Sequence, residues 1–146
     1  MPKYKTEWEL IEEYLFSLKD TIIYSFNDLI VQITNHLSYL KKEYGWHGNW
    51  LLSAATDRSK DTINFIISHK DDYGFETYHS YEIKMYICDK KINNIYTYNN
   101  DYYKCLDFDP KNKLYLWQPM TKILWFYIKK SNKAQFWMVG DCFEEV

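Results

Sequence analysis

Residues 75–88 read FETYHSYEIKMYIC, a stretch that alternates strictly enough to decide the fold. Phe75, Thr77, His79, Tyr81, Ile83, Met85 and Ile87 share one face of an extended chain, and Glu76, Tyr78, Ser80, Glu82, Lys84, Tyr86 and Cys88 share the other. A mainly apolar face backed by a mixed one is the pattern of a half-buried strand in an antiparallel sheet. The length of the run predicts a central strand with a neighbour on each edge. The expected fold is therefore α+β, an N-terminal helical hairpin packed on an antiparallel, meander-like β-sheet.

Upstream, the period changes to that of helices. Thr6-Glu7-Trp8-Glu9 has the form of a capping box, and Trp8, Ile11, Leu15 and Leu18 follow at spacings of three and four, which predicts a helix ending near Asp20. Ser25 offers a second cap, and Leu29, Ile33, Leu37, Leu40 and Tyr44 line one stripe that runs to Gly45. Lys41 and Lys42 fall in the last turn, where the helix dipole favours cations. Two helices joined through residues 21–24 are expected in preference to one bent helix.

Strand patterns fill the remainder. Residues 49–55 and 62–68 form a predicted pair across the turn DRSKD (57–61), with Ile63, Phe65 and Ile67 on one face, and HKDDYG (69–74) turns the chain into the long strand. Residues 92–98 alternate with Ile92, Asn94, Tyr96 and Tyr98 on one side and are polar enough to suit a sheet edge, through which two copies of the chain could pair. Residues 102–108 fit a short strand or an ordered loop, and 114–117, 123–129 and 134–139 fit late strands, with Pro119 ending the first of these. The helices should span about 7–44 and the sheet about 49–140, within a single domain 1–146.

Composition narrows the function. The chain has 146 residues, 47% of them hydrophobic, enough to bury a core without staples. The net charge of −2, from 18 basic and 20 acidic residues, gives no overall field for a polyanion, and Arg58 alone supplies the guanidinium fork suited to phosphate or guanine. Nucleic acid is therefore disfavoured as a partner. Cys88, Cys105 and Cys142 are too scattered for a zinc finger, so no metal is expected. No GxxxxGK[ST] or GxGxxG motif occurs, so no phosphate-bearing cofactor is expected either. No apolar run reaches the roughly 18 residues of a spanning helix, and residues 1–6 (MPKYKT) lack a signal peptide's apolar region. The expectation is a soluble cytoplasmic protein with no membrane partner, of a bacterium or of a host infected by a phage.

Three groups of residues could carry function. Trp46-His47-Gly48-Asn49-Trp50 could form an aromatic clamp around Trp46, His47 and Trp50, but at a helix-to-strand junction large rings more often plug the end of a core. His47, His69 and His79, with Asp57, Asp71, Asp72, Asp107 and Asp109, offer acid-base or metal-binding groups at no recognised spacing, and several of them sit in expected turns. Lys84, Lys90, Lys91, Lys104, Lys129, Lys130 and Lys133 interleave with tyrosines, but Glu76, Glu82, Asp101 and Asp107 mix the field. The informative excess is tyrosine, 15 residues, a side chain favoured at protein interfaces. The expected partner surface is Tyr78, Glu82, Lys84 and Tyr86, extended by Tyr96 and Tyr98. The function expected is that of a small non-catalytic module binding another protein, a stoichiometric inhibitor of the phage anti-defence or toxin-immunity type. The alternatives are a His/carboxylate enzyme acting on a nucleotide or nucleic acid, and a nucleic-acid-binding protein.

Overall fold

The protein is described by a computed structural model over residues 5–125 and 127–146. Most of the N-terminal MPKYKT segment, and Phe126 within the strand expected over 123–129, lie outside the described residues. The fold is α+β and mostly antiparallel. The chain divides into two compact units, one ending at Ile87 and the other beginning at Cys88.

In the first unit α1 spans Glu7–Ser17, with the Thr6 hydroxyl oxygen accepting from the Glu9 backbone N–H at 3.2 Å. Ile11 and Leu15 are its buried positions. Two residues, Ile22–Ile23, form β1, and α2 follows over Phe26–Tyr44, capped by Ser25 and closed by Gly45 in the left-handed region. Two helices thus form rather than one, and a strand too short to show alternation occupies the connection.

The strands β2 (Asn49–Asp57), β3 (Thr62–Lys70) and β4 (Glu76–Lys84) make an antiparallel sheet in that order, while β5 (Tyr86–Ile87) pairs in parallel with β1. The stretch expected as one central strand is divided and lateral. Among the described residues β4 pairs with β3 alone, and β3 takes the centre, with Ile63, Phe65 and Ile67 fully buried. The ladder ends where Asp20 N–H donates to the Lys84 carbonyl at 2.8 Å; Tyr86 N–H then donates to Thr21, so the chain changes partner at Met85. One face of the sheet packs its Ile63, Phe65, Ile67, Tyr81 and Ile83 against Ile11, Leu15, Leu29, Ile33, Leu37 and Leu40 of the helices. Tyr81 donates its hydroxyl to Glu12 at 3.1 Å, so its polar tip is satisfied at the edge of that core.

The second unit contains β6 (Ile95–Tyr98), β7 (Asp101–Asp109), β8 (Leu114–Leu124), β9 (Tyr127–Lys130), β10 (Phe136–Met138) and β11 (Glu144–Glu145). Their order is β10-β8-β7-β6-β11, with β9 also paired to β8. Asn99 and Asn100, at φ 50° and 66°, provide the two left-handed residues of the tight β6–β7 hairpin. Residues 102–108 are a strand, part of β7. Pro119 does not end β8. Its carbonyl accepts from Ser131 at 3.0 Å, and since N and O of one strand residue point the same way, its missing N–H faces the β9–β10 side rather than the β7 ladder.

Of residues 92–98 only Ile95–Tyr98 form a strand, with Ile92 and Asn93 in a turn, and that strand is not a free edge either. β11 covers β6, with Glu144 opposite Thr97 and Glu145 opposite Tyr96, and Val146 N–H donates to Ile95. β11 thereby takes the edge of β6 that faces away from β7. No helix of the described residues is long and apolar enough to cross a membrane.

Candidate partner-binding surface

Because Ile63, Phe65, Ile67, Tyr81 and Ile83 point to the helices, the intervening positions of the three-stranded sheet point away from them. The register sets these side chains in rows: Leu51, Ser68 and Tyr78; Ser53, Ile66 and Ser80; Ala55, Asn64 and Glu82. Leu51 is 65% exposed, Ile66 42% and Tyr78 69%. Small residues surround these three, so the face is a shallow floor with one aromatic and two aliphatic pegs. Glu82 and Lys84 place both signs of charge at one end, and the Lys84 ammonium lies 5.6 Å from the ring of half-buried Tyr86. At the other end Tyr73 and Phe75 are exposed in the β3–β4 turn, where Asp71 Oδ1 accepts from both of their backbone N–H groups at 2.9 Å.

Tyr78, Glu82 and Lys84 therefore share one face, as the alternation required, while Tyr96 and Tyr98 belong to the other unit. Tyr96 does not extend a surface: it is 2% exposed, meets Trp117 edge-on at 5.5 Å, and accepts at its hydroxyl from Lys91 N–H. Tyr98 is half-buried against Phe143 at 5.1 Å. Polar neighbours made residues 92–98 look lateral; Trp117, Phe143 and the backbone at Lys91 pack on this side of the strand.

Trp46 and Trp50 lie 5.1 Å apart, and Trp50 stacks on His69 at 4.0 Å and meets Trp8 at 5.2 Å. Trp8 in turn lies 4.1 Å from His79. The rings pack on one another and close the end of the helix-covered core, leaving no open clamp between the two tryptophans. His47 and Asn49 are the exposed residues of the motif, and His47 has Nδ1 3.5 Å from Asp72 Oδ2 and its carbonyl 2.9 Å from His69 Nε2. The other candidate carboxylates are engaged in local backbone and side-chain hydrogen bonds. Asp57 accepts from Ser59, and Asp109 from Lys111 and Asn112, bonds that hold both carboxyls below their ordinary range, while Asp107 accepts from Phe108 N–H. No three His, Cys, Asp or Glu side chains converge as a metal-binding set among the described residues.

Cys88 and Cys105 are buried and Cys142 is exposed. Burial pushes the Cys88 thiol up and that of Cys105 up to about 12, the direction opposite to that of a nucleophile. The native state holds the Cys105 proton more tightly than the unfolded chain does. Its contribution to stability is therefore intact below the ordinary value of 9.0 and is lost as pH climbs towards about 12. Burial also raises Tyr96 and Tyr115, adding to the loss. The denaturant midpoint is expected to fall over that alkaline window, and a flat midpoint would show that these groups are hydrated in the native state.

Sequence reasoning missed Leu51 and Ile66: Leu51 lies in a run with apolar residues on both faces, and Ile66 is a single apolar side chain among the polar positions opposite Ile63, Phe65 and Ile67. It also missed a cluster in the second unit, where Ile123, Leu124, Trp125 and Tyr127 are all exposed at the β8–β9 hairpin. Comparison with protein-family models, curated proteins and solved structures finds no match to this chain.

Proposed function

We propose that the protein is a non-catalytic protein-binding module that acts as a stoichiometric inhibitor of its partner through the open face of the three-stranded sheet. The exposure of Leu51, Ile66 and Tyr78 in adjacent rows supports this most directly. A sheet face that leaves three large apolar side chains in water beside small residues gains by covering them, and tyrosine contributes contact area at low entropic cost. Glu82 and Lys84 at one end would fix register against complementary charges rather than supply affinity. The partner this surface suits is a protein with its own apolar patch flanked by charges of both signs. The proposed setting is the cytoplasm of a bacterium, with the gene carried by the cell or by a phage, in the manner of immunity or anti-defence proteins.

The test is capture of partners by the tagged protein from nuclease-treated bacterial lysate, followed by titration of the purified pair. A stoichiometric complex that inhibits the partner's activity is expected, with affinity little changed by salt. Tyr78→Ala should weaken it on the order of 30-fold, the size of an interface hot spot. The thermal midpoint should hardly move, because the side chain is exposed. Unchanged binding by a folded Tyr78→Ala/Leu51→Ala variant would remove this face from consideration.

A further inference from the structure

The β8–β9 hairpin outruns the sheet that carries it. Tyr102 opposite Met120 closes the described β7–β8 pairing, and β10 pairs only with residues 115–117 of β8. Beyond Met120 the pairs Thr121–Lys129, Lys122–Ile128 and Leu124–Tyr127 form a two-stranded arm. Such ribbons are marginally stable in water on their own, yet Trp125 here is 84% exposed and Ile123, Leu124 and Tyr127 are about half exposed. Apolar side chains surround the end of the arm instead of lining one face. Behind them stand Lys122, Lys129, Lys130 and, in the next turn, Lys133, all on the surface. Lys122 also donates to the Tyr102 hydroxyl at 3.2 Å. The sequence from Pro110 to Gly140 contains six lysines and no carboxylate, in a chain whose net charge is −2.

We propose that this arm attaches the protein to an anionic lipid surface. Tryptophan and tyrosine favour the headgroup boundary, and lysine stems can lie along the apolar layer while their ammonium groups meet phosphates. An apolar end followed by a cationic collar reproduces the order of layers met on entering a bilayer from water, and no spanning helix is required. A single-stranded nucleic acid would instead call for ring faces set along a basic groove, so that successive bases could stack. The proposal concerns the second unit and is independent of the sheet face described above.

The full-length protein can be sedimented with vesicles of phosphatidylcholine alone and of phosphatidylcholine mixed with phosphatidylglycerol. Association is expected with the anionic vesicles only, with a blue shift of tryptophan emission that Trp125→Phe largely removes while still binding. Lys129→Gln/Lys130→Gln should lower partitioning on the order of 25-fold, from two charges near the surface, and added salt should act in the same direction. Leu124→Ser/Trp125→Ser should abolish association, and circular dichroism should report an unchanged fold because both positions are exposed. The proposal is overturned by absence of association with either vesicle, or by association that these folded variants leave unchanged. It is equally overturned if the arm serves instead to bind a single-stranded oligonucleotide or to form a dimer, with the vesicles left bare.

Discussion

Trp117→Ala is expected to cost about 3–5 kcal/mol and to leave the unit that begins at Cys88 without a stable fold. Trp117 is fully buried, stacks on Phe143 with ring centroids 3.7 Å apart and planes inclined by 6°, and receives the edge of Tyr96. Its indole N–H donates to the Met138 carbonyl at 3.2 Å, so it fastens the paired strand β10 as well. Truncation removes the ring on which Phe143 stacks, and Phe143 immediately precedes β11, the strand that covers β6. A unit of this size commonly has only a few kcal/mol in hand, roughly what one such cavity removes. Denaturant unfolding followed by near-ultraviolet circular dichroism would measure it. Trp117→Phe keeps a ring over Phe143 but loses the hydrogen bond, and should cost about 1–2 kcal/mol. A loss below about 1 kcal/mol for the alanine variant would mean that the Tyr96–Trp117–Phe143 stack does not hold the C-terminus in place.

The same residues mark where sequence reasoning reached and where it stopped. Thr6, Ser25 and Gly45 sit where capping chemistry requires, and the stripe from Leu29 to Leu40 is the buried face of α2, because a helix end and a helix face are local properties. The alternation of residues 76–84 likewise placed Tyr78, Glu82 and Lys84 on one face, although which face meets the helices is not a local property. Which strand is central is not local: it depends on pairing order, so β3 rather than β4 holds the middle. The pairs Ile22–Ile23, Tyr86–Ile87 and Glu144–Glu145 are too short to have a period, yet they decide where β4 ends and whether β6 is an edge. Tyr96 was misplaced because its burial rests on partners distant in sequence or outside any strand pattern, Trp117 against its ring and Lys91 N–H at its hydroxyl. Trp125 was hidden for a different reason: residues 123–129 are apolar enough to read as one core strand, whereas the chain turns at Trp125 and divides them between β8 and β9, which pair with each other beyond their neighbours.

Gly48→Ala is expected to be the most damaging single-methyl change in the chain, on the order of 3 kcal/mol, and Gly45→Ala is the control that explains why. Both glycines have positive φ, +66° at Gly45 and +81° at Gly48, so both variants carry the cost of holding an L-residue there, about 1 kcal/mol. A Cβ on Gly45 meets nothing within 4 Å. On Gly48 it would stand 2.3 Å from the Lys70 carbonyl oxygen and 2.7 Å from His69 Nε2, closer than real contacts allow. The first of these is backbone, at the end of the β2–β3 ladder where Lys70 pairs with Asn49, so relief requires the junction or the strand end to move. His69 would be pushed from its stack on Trp50, loosening the aromatic plug at that end of the core. The displacement should also pass to Asp71, whose carboxylate fixes Tyr73 and Phe75 beside the Tyr78 face. Thermal and denaturant midpoints should therefore separate the two variants clearly, and partner affinity should fall for Gly48→Ala but not for Gly45→Ala. Equal destabilisation would mean that the junction yields without cost and that positive φ alone explains both glycines.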